Sequence, residues 1–318
     1  MAAGAVVLGP RVTVDDVWIE PELAVDVDLY LDSVEDAITG LRAEAAKEIV
    51  WTDPDTRRRA PVAMVYLHGF SADRHELEPV ISDAARDLGA NVYFARLRGH
   101  GRVPSAMAEA TVEDWLADAA EAVAIGARIG ERVVVLGTST GGTLAIWAAG
   151  RSETEDRIAA LVLISPNLQP RDRSSRILLQ PWGSWIARAV VGRERCFEPE
   201  NDAQALHWTT CYPTSALTPM MGLVEHVRTS DPGAIDVPTL LVYSPDDEVV
   251  DATETEAFMN RFPDSLLHVH VVEGSSDPSD HVLAGDVLSP NTNAEVRDAI
   301  VDFVNRILAA PDEAGSPR

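Results

Sequence analysis

Cysteine is nearly absent from this chain of 318 residues, which carries two, Cys196 and Cys211. Neither sits in a C-x-x-C or a Cys/His spacing, so no zinc site is implied. The reduced state of most intracellular thiols favours two free, buried cysteines over a disulfide. Lysine is scarcer still: Lys47 stands alone among 26 basic residues, and the rest are arginine. Against them are 51 acidic residues, for a net charge of −25. That balance excludes nucleic acid as the main partner, because phosphate binding needs clustered cations. It excludes an anionic membrane surface for the same reason. Long apolar runs are missing too, and no stretch reaches the roughly 18 residues of a membrane span. Residues Ala2 to Gly9 are apolar, but they lack a basic flank and are too short for a secretory signal. The reading is a cytoplasmic chain with no nucleic-acid partner and no membrane span.

What is present is ample core material, with 46% hydrophobic residues. The length allows either two domains or one large α/β domain with an insertion. Between Tyr30 and Lys47, the residues Leu31, Val34, Ile38, Leu41 and Ala45 recur at helical spacing. One amphipathic helix is therefore expected in an N-terminal extension, residues 1–58. Thr52 to Pro61 reads as a turn-rich hairpin or linker.

From Val62 onward the pattern alternates. Short β-branched runs at 62–67, 91–97, 132–137, 158–165, 238–243 and 266–272 suit strands buried on both faces. Helical patterns lie between and after them, at 77–88, 112–129, 142–149, 253–261 and 293–308. Thr253-Glu-Thr-Glu256 and Thr292-Asn-Ala-Glu295 have the form of capping boxes. The expected class is α/β, a mainly parallel doubly wound sheet, with a core formed by residues 59–166 and 237–309. Residues 167–236 show no strand-like run and are rich in Trp, Pro, Arg and Met, which predicts a helical cap over the carboxyl edge of the sheet. Residues 310–318 read as a flexible tail.

The chemistry concentrates in Val133-Val-Val-Leu-Gly137-Thr138-Ser139-Thr140-Gly141-Gly142. G-x-S-x-G between a strand and a helix is the setting for a nucleophile on a strained turn. The serine is exposed at the sheet edge, and the helix aims its first amides, including that of Thr140, at developing negative charge. A serine needs a base, and the order serine, acid, histidine singles out His281 among eight histidines. It follows the last strand in the loop Gly274-Ser-Ser-Asp-Pro-Ser-Asp-His281, whereas His268 and His270 alternate within that strand. Asp246, Asp247 and Glu248 follow the preceding strand; Asp247 is the preferred acid and Asp246 the second choice. The loop Leu67-His68-Gly69-Phe70 should offer the Phe70 amide as a second oxyanion donor, with His68 packing beneath it. Arg98-Gly99-His100-Gly101-Arg102 reads as a turn at the site mouth rather than a phosphate loop, since no G-K-[ST] follows.

Taken together, His68-Gly69-Phe70, Arg98-Gly99-His100-Gly101, Gly137-x-Ser139-x-Gly141, Asp247-x-Val-Val250 and His281-Val282 resemble the α/β-hydrolase superfamily. The likeness is to the branch of esterases, monoacylglycerol lipases and serine-aminopeptidase-like enzymes, over about residues 60–308. It implies Ser139 as nucleophile, Asp247 as acid, His281 as base and the Phe70 and Thr140 amides as the oxyanion hole. The elbow reads Thr-Ser-Thr-Gly-Gly where that branch commonly has His-Ser-Met-Gly-Gly, so the motif transmits no particular substrate.

The expected activity is hydrolysis of a small carboxylic ester through an acyl-enzyme, with no cofactor and no metal. Amide, peptide or C–C bond hydrolysis by the same three residues is the alternative, and a non-catalytic module on the same fold is a third reading. Serine at the elbow disfavours the aspartate-dependent dehalogenase and epoxide hydrolase chemistries. If the cap folds over Ser139, then Trp182, Trp185, Met220 and Met221 are candidates to line an apolar acyl pocket. Oligomeric state is not written in the sequence.

Overall fold

Along strand β2 (Ala60–Leu67), Ala63, Val65 and Leu67 enter one hydrophobic core while Val62, Met64 and Tyr66 enter another. That period of two across a strand buried on both faces organises the whole molecule. The computed structural model describes residues 9–309. Most of the apolar run Ala2–Gly9 and the tail 310–318 lie outside the described residues.

Strands β1 (Glu48–Val50), β3 (Asn91–Phe94), β4 (Gly130–Thr138), β5 (Ile158–Ile164), β8 (Thr239–Tyr243) and β9 (Leu267–Val271) complete a seven-stranded sheet with β2. Its order is β1-β3-β2-β4-β5-β8-β9. Every neighbouring pair is parallel except β1 with β3. Helices α1 (Val27–Asp36), α3 (Val112–Ile129) and α4 (Thr140–Ala149) cover one face, and α2 (Val80–Leu88) and α9 (Asn293–Ala309) the other. Helix α8 (Ala252–Met259) joins the first group. The sheet and its two helical layers are those of the α/β class read from the sequence.

The N-terminal helix is shorter than its periodicity suggests. It ends at Asp36, because the chain then turns and residues 48–50 are taken into the sheet beside β3. The two expected capping boxes are also replaced. Helix α8 is preceded by Asp251 with no side-chain cap, and Thr292 Oγ1 donates to Leu283 O at 2.7 Å. The box that does form is Thr111 with Asp114 at the start of α3.

Residues 167–236 hold α5 (Gly183–Val191), α6 (Asp202–His207) and α7 (Leu217–Arg228). They also hold a two-stranded antiparallel ribbon, β6 (Glu194–Cys196) with β7 (Cys211–Pro213), where no strand was expected. Cys196 and Cys211 face each other across this ribbon and are disulfide-bonded. The expectation of two free, buried thiols is overturned: Cys196 is exposed and Cys211 half-buried. Helix α7 packs on α3 and α4 and places Met221, Leu223 and Val224 in the main core. The ribbon and its approach rest on loops at the carboxyl ends of the strands. Thr209 N–H donates to Ser71 O at 2.7 Å, and the Tyr212 ring meets Phe70 edge-on at 5.2 Å. Among the described residues no helix is long and apolar enough to cross a membrane.

Candidate active site

Ser139 sits between the end of β4 and the start of α4 with φ 52° and ψ −115°, a backbone conformation that costs a non-glycine residue energy. The turn is tight enough that a methyl group on Gly141 would collide with Leu67 O, and one on Gly137 with Gly141 O. Ser139 N–H donates to Ile164 O at 2.9 Å, and Ser139 O accepts from Thr143 N–H and Asn167 N–H. The strain is thus held by three backbone bonds. Thr140 opens the helix, so its amide has no acceptor one turn back and faces outward with the positive end of the dipole.

His281 and Asp247 meet at the same edge. His281 Nδ1 lies 2.7 Å from Asp247 Oδ2, and the other carboxylate oxygen accepts from Val249 and Val250 N–H, each at 2.8 Å. Asp247 is 1% exposed, whereas Asp246 and Glu248 on either side are open to solvent. Burial alone would lower the His281 pKa, but the charge and hydrogen bond of Asp247 outweigh it, with help from Glu76 and Asp277, and raise it. Ser165 Oγ donates to His281 O at 2.8 Å, so the histidine and the serine are both moored to the end of β5. Among the described residues Ser139 Oγ and His281 share no hydrogen bond, a contact that often tightens only when substrate arrives.

The loop after β2 is pinned on both sides of Phe70. Gly69 N–H donates to Glu76 Oε2 at 2.8 Å, His68 Nδ1 to Gly69 O at 2.8 Å, and Ser71 N–H to His100 Nε2 at 3.0 Å. The Phe70 amide between them has no acceptor among the described residues. Its ring is held edge-on by His100, Trp115 and Tyr212. Burial pushes His68 down to about 4 and His100 well below the ordinary imidazole range, so both stay neutral supports. The glycines flanking His100 form a structural turn, with Arg96 Nη1 on His100 O at 3.4 Å.

The four expected pocket residues separate. Met220 is buried, and its Sδ accepts from Asn167 Nδ2 at 3.4 Å, one residue removed from Ser139 O. Met221 belongs to the main core. Trp182 and Trp185 are 41% and 68% exposed and line a cleft of about 400 Å³ with Val12, Val112 and Pro219, a lining that contains none of Ser139, Asp247 and His281.

Sequence reasoning missed Asp277. Its carboxylate accepts from Ser279, His281 and Val282 N–H and from Ser279 Oγ, which shapes the loop that presents His281. The run Asp277-Pro-Ser carries the signature of a side-chain-capped turn and could have flagged it. Glu76, six residues beyond Phe70, was missed as well.

Asp73, His75 and His207 form a group of metal-ligand composition, with ligand atoms within 4.8 Å of one another. Both Nδ1 atoms are already engaged by Asp73, His75 on Oδ1 at 3.0 Å and His207 on Oδ2 at 3.2 Å, and the two imidazoles stack at 4.0 Å. Arg42 already donates to Asp73 Oδ2 at 3.2 Å. The group fits a hydrogen-bonded clasp joining the loop after β2 to α6 better than a chelate.

A strained serine between strand and helix on a doubly wound parallel sheet defines an α/β-hydrolase. The family model described as "Serine aminopeptidase, S33" matches residues 59–276, and the chain belongs to that family. A stretch of 97 residues, 30% of this chain, is 31% identical to the "Thermostable monoacylglycerol lipase" of Bacillus sp. (strain H-257) and spans 38% of that protein's length. A solved structure from work on LipS and LipT, two metagenome-derived lipolytic enzymes, superposes with a TM-score of 0.65 at 20% identity, covering 84% of this chain and 99% of that one. A soluble variant of monoglyceride lipase from Saccharomyces cerevisiae gives 0.62 at 12% identity over 82% and 91%. At such identities the likeness is one of fold.

Proposed function

We propose that the protein is a serine hydrolase of carboxylic esters, with Ser139 as nucleophile, His281 as base and Asp247 as its partner. The observation that carries the reading is the 2.7 Å contact from His281 Nδ1 to a buried Asp247, at the same sheet edge as a serine held at φ 52°. The contact leaves Nδ1 protonated and Nε2 free to take the Ser139 proton. Serine Oγ then attacks the ester carbonyl, and the Phe70 and Thr140 amides stabilise the oxyanion. His281 returns the proton to the departing alcohol, and water activated by the same imidazole releases the acid. The alternating proton transfers need no cofactor.

Residues 167–236 act as the cap, since their ribbon rests on the loops that surround the nucleophile. Ester rather than amide substrates are favoured by the names of the lipase relatives, while the family model's own description keeps amide hydrolysis as the second reading. Labelling with a fluorophosphonate followed by peptide mapping should place the adduct on Ser139, and an adduct elsewhere overturns the assignment. Turnover of p-nitrophenyl esters but not aminoacyl anilides is expected; the reverse outcome favours the peptidase.

A further inference from the structure

Glu76 is a buried carboxyl that the reaction just described does not use. It ends the short helical turn Arg74–Glu76 after β2 and is 2% exposed. Its Oε2 accepts from Gly69 N–H at 2.8 Å and from Tyr66 OH at 2.9 Å. Tyr66 OH lies 3.0 Å from Thr138 Oγ1, the side chain immediately before Ser139. Oε1 stands 2.6 Å from where a Cβ on Gly69 would be, so the carboxylate fills the space beneath the oxyanion loop. The backbone of Glu76 packs against Gly285, in the segment that follows His281. One residue therefore touches the oxyanion loop and reaches the Ser139 strand through its side chain, and borders the histidine loop through its backbone.

We propose that Glu76 is a positioning residue of this site, whose ionised carboxylate holds the Gly69–Phe70 turn so that the Phe70 amide faces the substrate oxygen. The proposal rests on the serine-hydrolase reading above. Two donors converge on a single oxygen, and charge-assisted bonds of this kind favour the carboxylate over the neutral acid. Protonation removes the charge from this acceptor and so weakens the anchor on Gly69.

The charged groups acting on Glu76 are His281, which favours its ionised form, and Asp73, which opposes it. Burial dominates and pushes the carboxyl up to about 7, against the pull of the Gly69 and Tyr66 donors. Titration thus falls in the range where the enzyme would work. Two protonations then inhibit as the pH falls: Glu76 loses the charge that anchors the loop, and His281 ceases to be a base. The ionised Glu76 also raises His281, so the two titrate as a coupled pair.

The test compares the pH dependence of kcat/KM for a p-nitrophenyl ester in the wild type, Glu76→Gln and Tyr66→Phe. The wild-type acid limb should steepen toward a slope of two. In Glu76→Gln it should fall to a slope of one and move to lower pH, with kcat reduced about tenfold, a fraction of what losing an oxyanion donor costs, and KM little changed. Tyr66→Phe keeps the packing but removes one donor from the anion, so its acid limb should move to higher pH. If Glu76→Gln does not fold, the Tyr66→Phe shift decides. Acid limbs of wild-type shape in the variants overturn the proposal, even if melting temperatures fall, because lost stability alone would mark a structural role. Fluorophosphonate labelling of the wild type separates the outcomes: unlabelled Ser139 means the hydrolase reading has failed, and labelled Ser139 with unshifted profiles means that Glu76 has.

Discussion

His281 Nδ1 and Asp247 Oδ2 stand 2.7 Å apart, while Asp246, the residue before, turns its carboxylate to solvent. Adjacent acids on one turn point in opposite directions, so a single register decides which is the partner. Asp247→Asn should preserve the fold and lower kcat by about 10⁴, because an amide there favours the wrong imidazole tautomer. Asp246→Asn should stay within about twofold, as exposed substitutions generally do. Steady-state kinetics of the two variants check this, and equal losses would remove Asp247 from its role.

The raised pKa of His281 has opposite consequences for stability and activity. A histidine whose folded pKa exceeds its unfolded value stabilises the protein below the unfolded pKa, and that contribution is lost as pH rises through the folded pKa. The proposed action as a base needs the neutral form, so activity should rise over the same interval. Followed by NMR in Ser139→Ala, the His281 ring should titrate above 6.5 and should drop when Asp247→Asn is added. A ring that titrates below the ordinary imidazole value would show that burial outweighs Asp247.

The strand–helix alternation from Val62 and the glycine-framed Ser139 were legible because both depend on local patterns: runs buried on both faces, and a turn with no room for side chains. The choice between Asp246 and Asp247 needed the register of a loop, which neighbouring identical residue types do not encode. Glu76 was invisible for a stronger reason. Its partners Gly69, Tyr66 and the His281 loop come together only in the fold, and a lone glutamate in an acidic chain carries no periodic signal. The Cys196–Cys211 bond was likewise hidden, since the ribbon that pairs these residues is three residues long on each side.

Away from the site, Arg96 holds Glu35 through two bonds, Nε to Oε2 at 2.8 Å and Nη2 to Oε1 at 2.7 Å, with both side chains buried. Arg96→Met should cost about 3–5 kcal/mol, because it strips a buried carboxylate of its guanidinium and leaves Lys47 N–H, 3.0 Å from Oε2, as its remaining hydrogen-bond donor. Burial opposes ionisation of Glu35, but the Arg96 bonds prevail and hold its pKa below the usual value. That pair therefore stabilises the fold above the unfolded carboxylate pKa, and the contribution is lost as pH falls through the folded one. Urea unfolding should accordingly show a larger deficit for the variant at pH 8 than at pH 4. A Glu35→Leu, Arg96→Met double variant should recover most of the loss. A deficit that does not depend on pH would assign it to packing.

Met220 and Trp185 divide the apolar residues of the segment 167–236 into one linked to Ser139 through Asn167 and one lining a separate cleft. Met220 reaches Ser139 through Asn167, whose side chain donates to its sulfur and whose N–H donates to Ser139 O. Trp185, at 68% exposure, lines a cleft that contains none of Ser139, Asp247 and His281. Met220→Ala should therefore alter the ratio of kcat/KM between short and medium acyl esters by about tenfold, the range that one or two methylenes command in an apolar pocket. Because the ratio is taken within one variant, loss of stability in Met220→Ala cancels from it. Trp185→Ala should leave the ratio within about twofold, as surface substitutions away from a site do. If Trp185→Ala shifts chain-length preference and Met220→Ala does not, the acyl chain leaves the nucleophile toward the α5 cleft, and the pocket must be redrawn there.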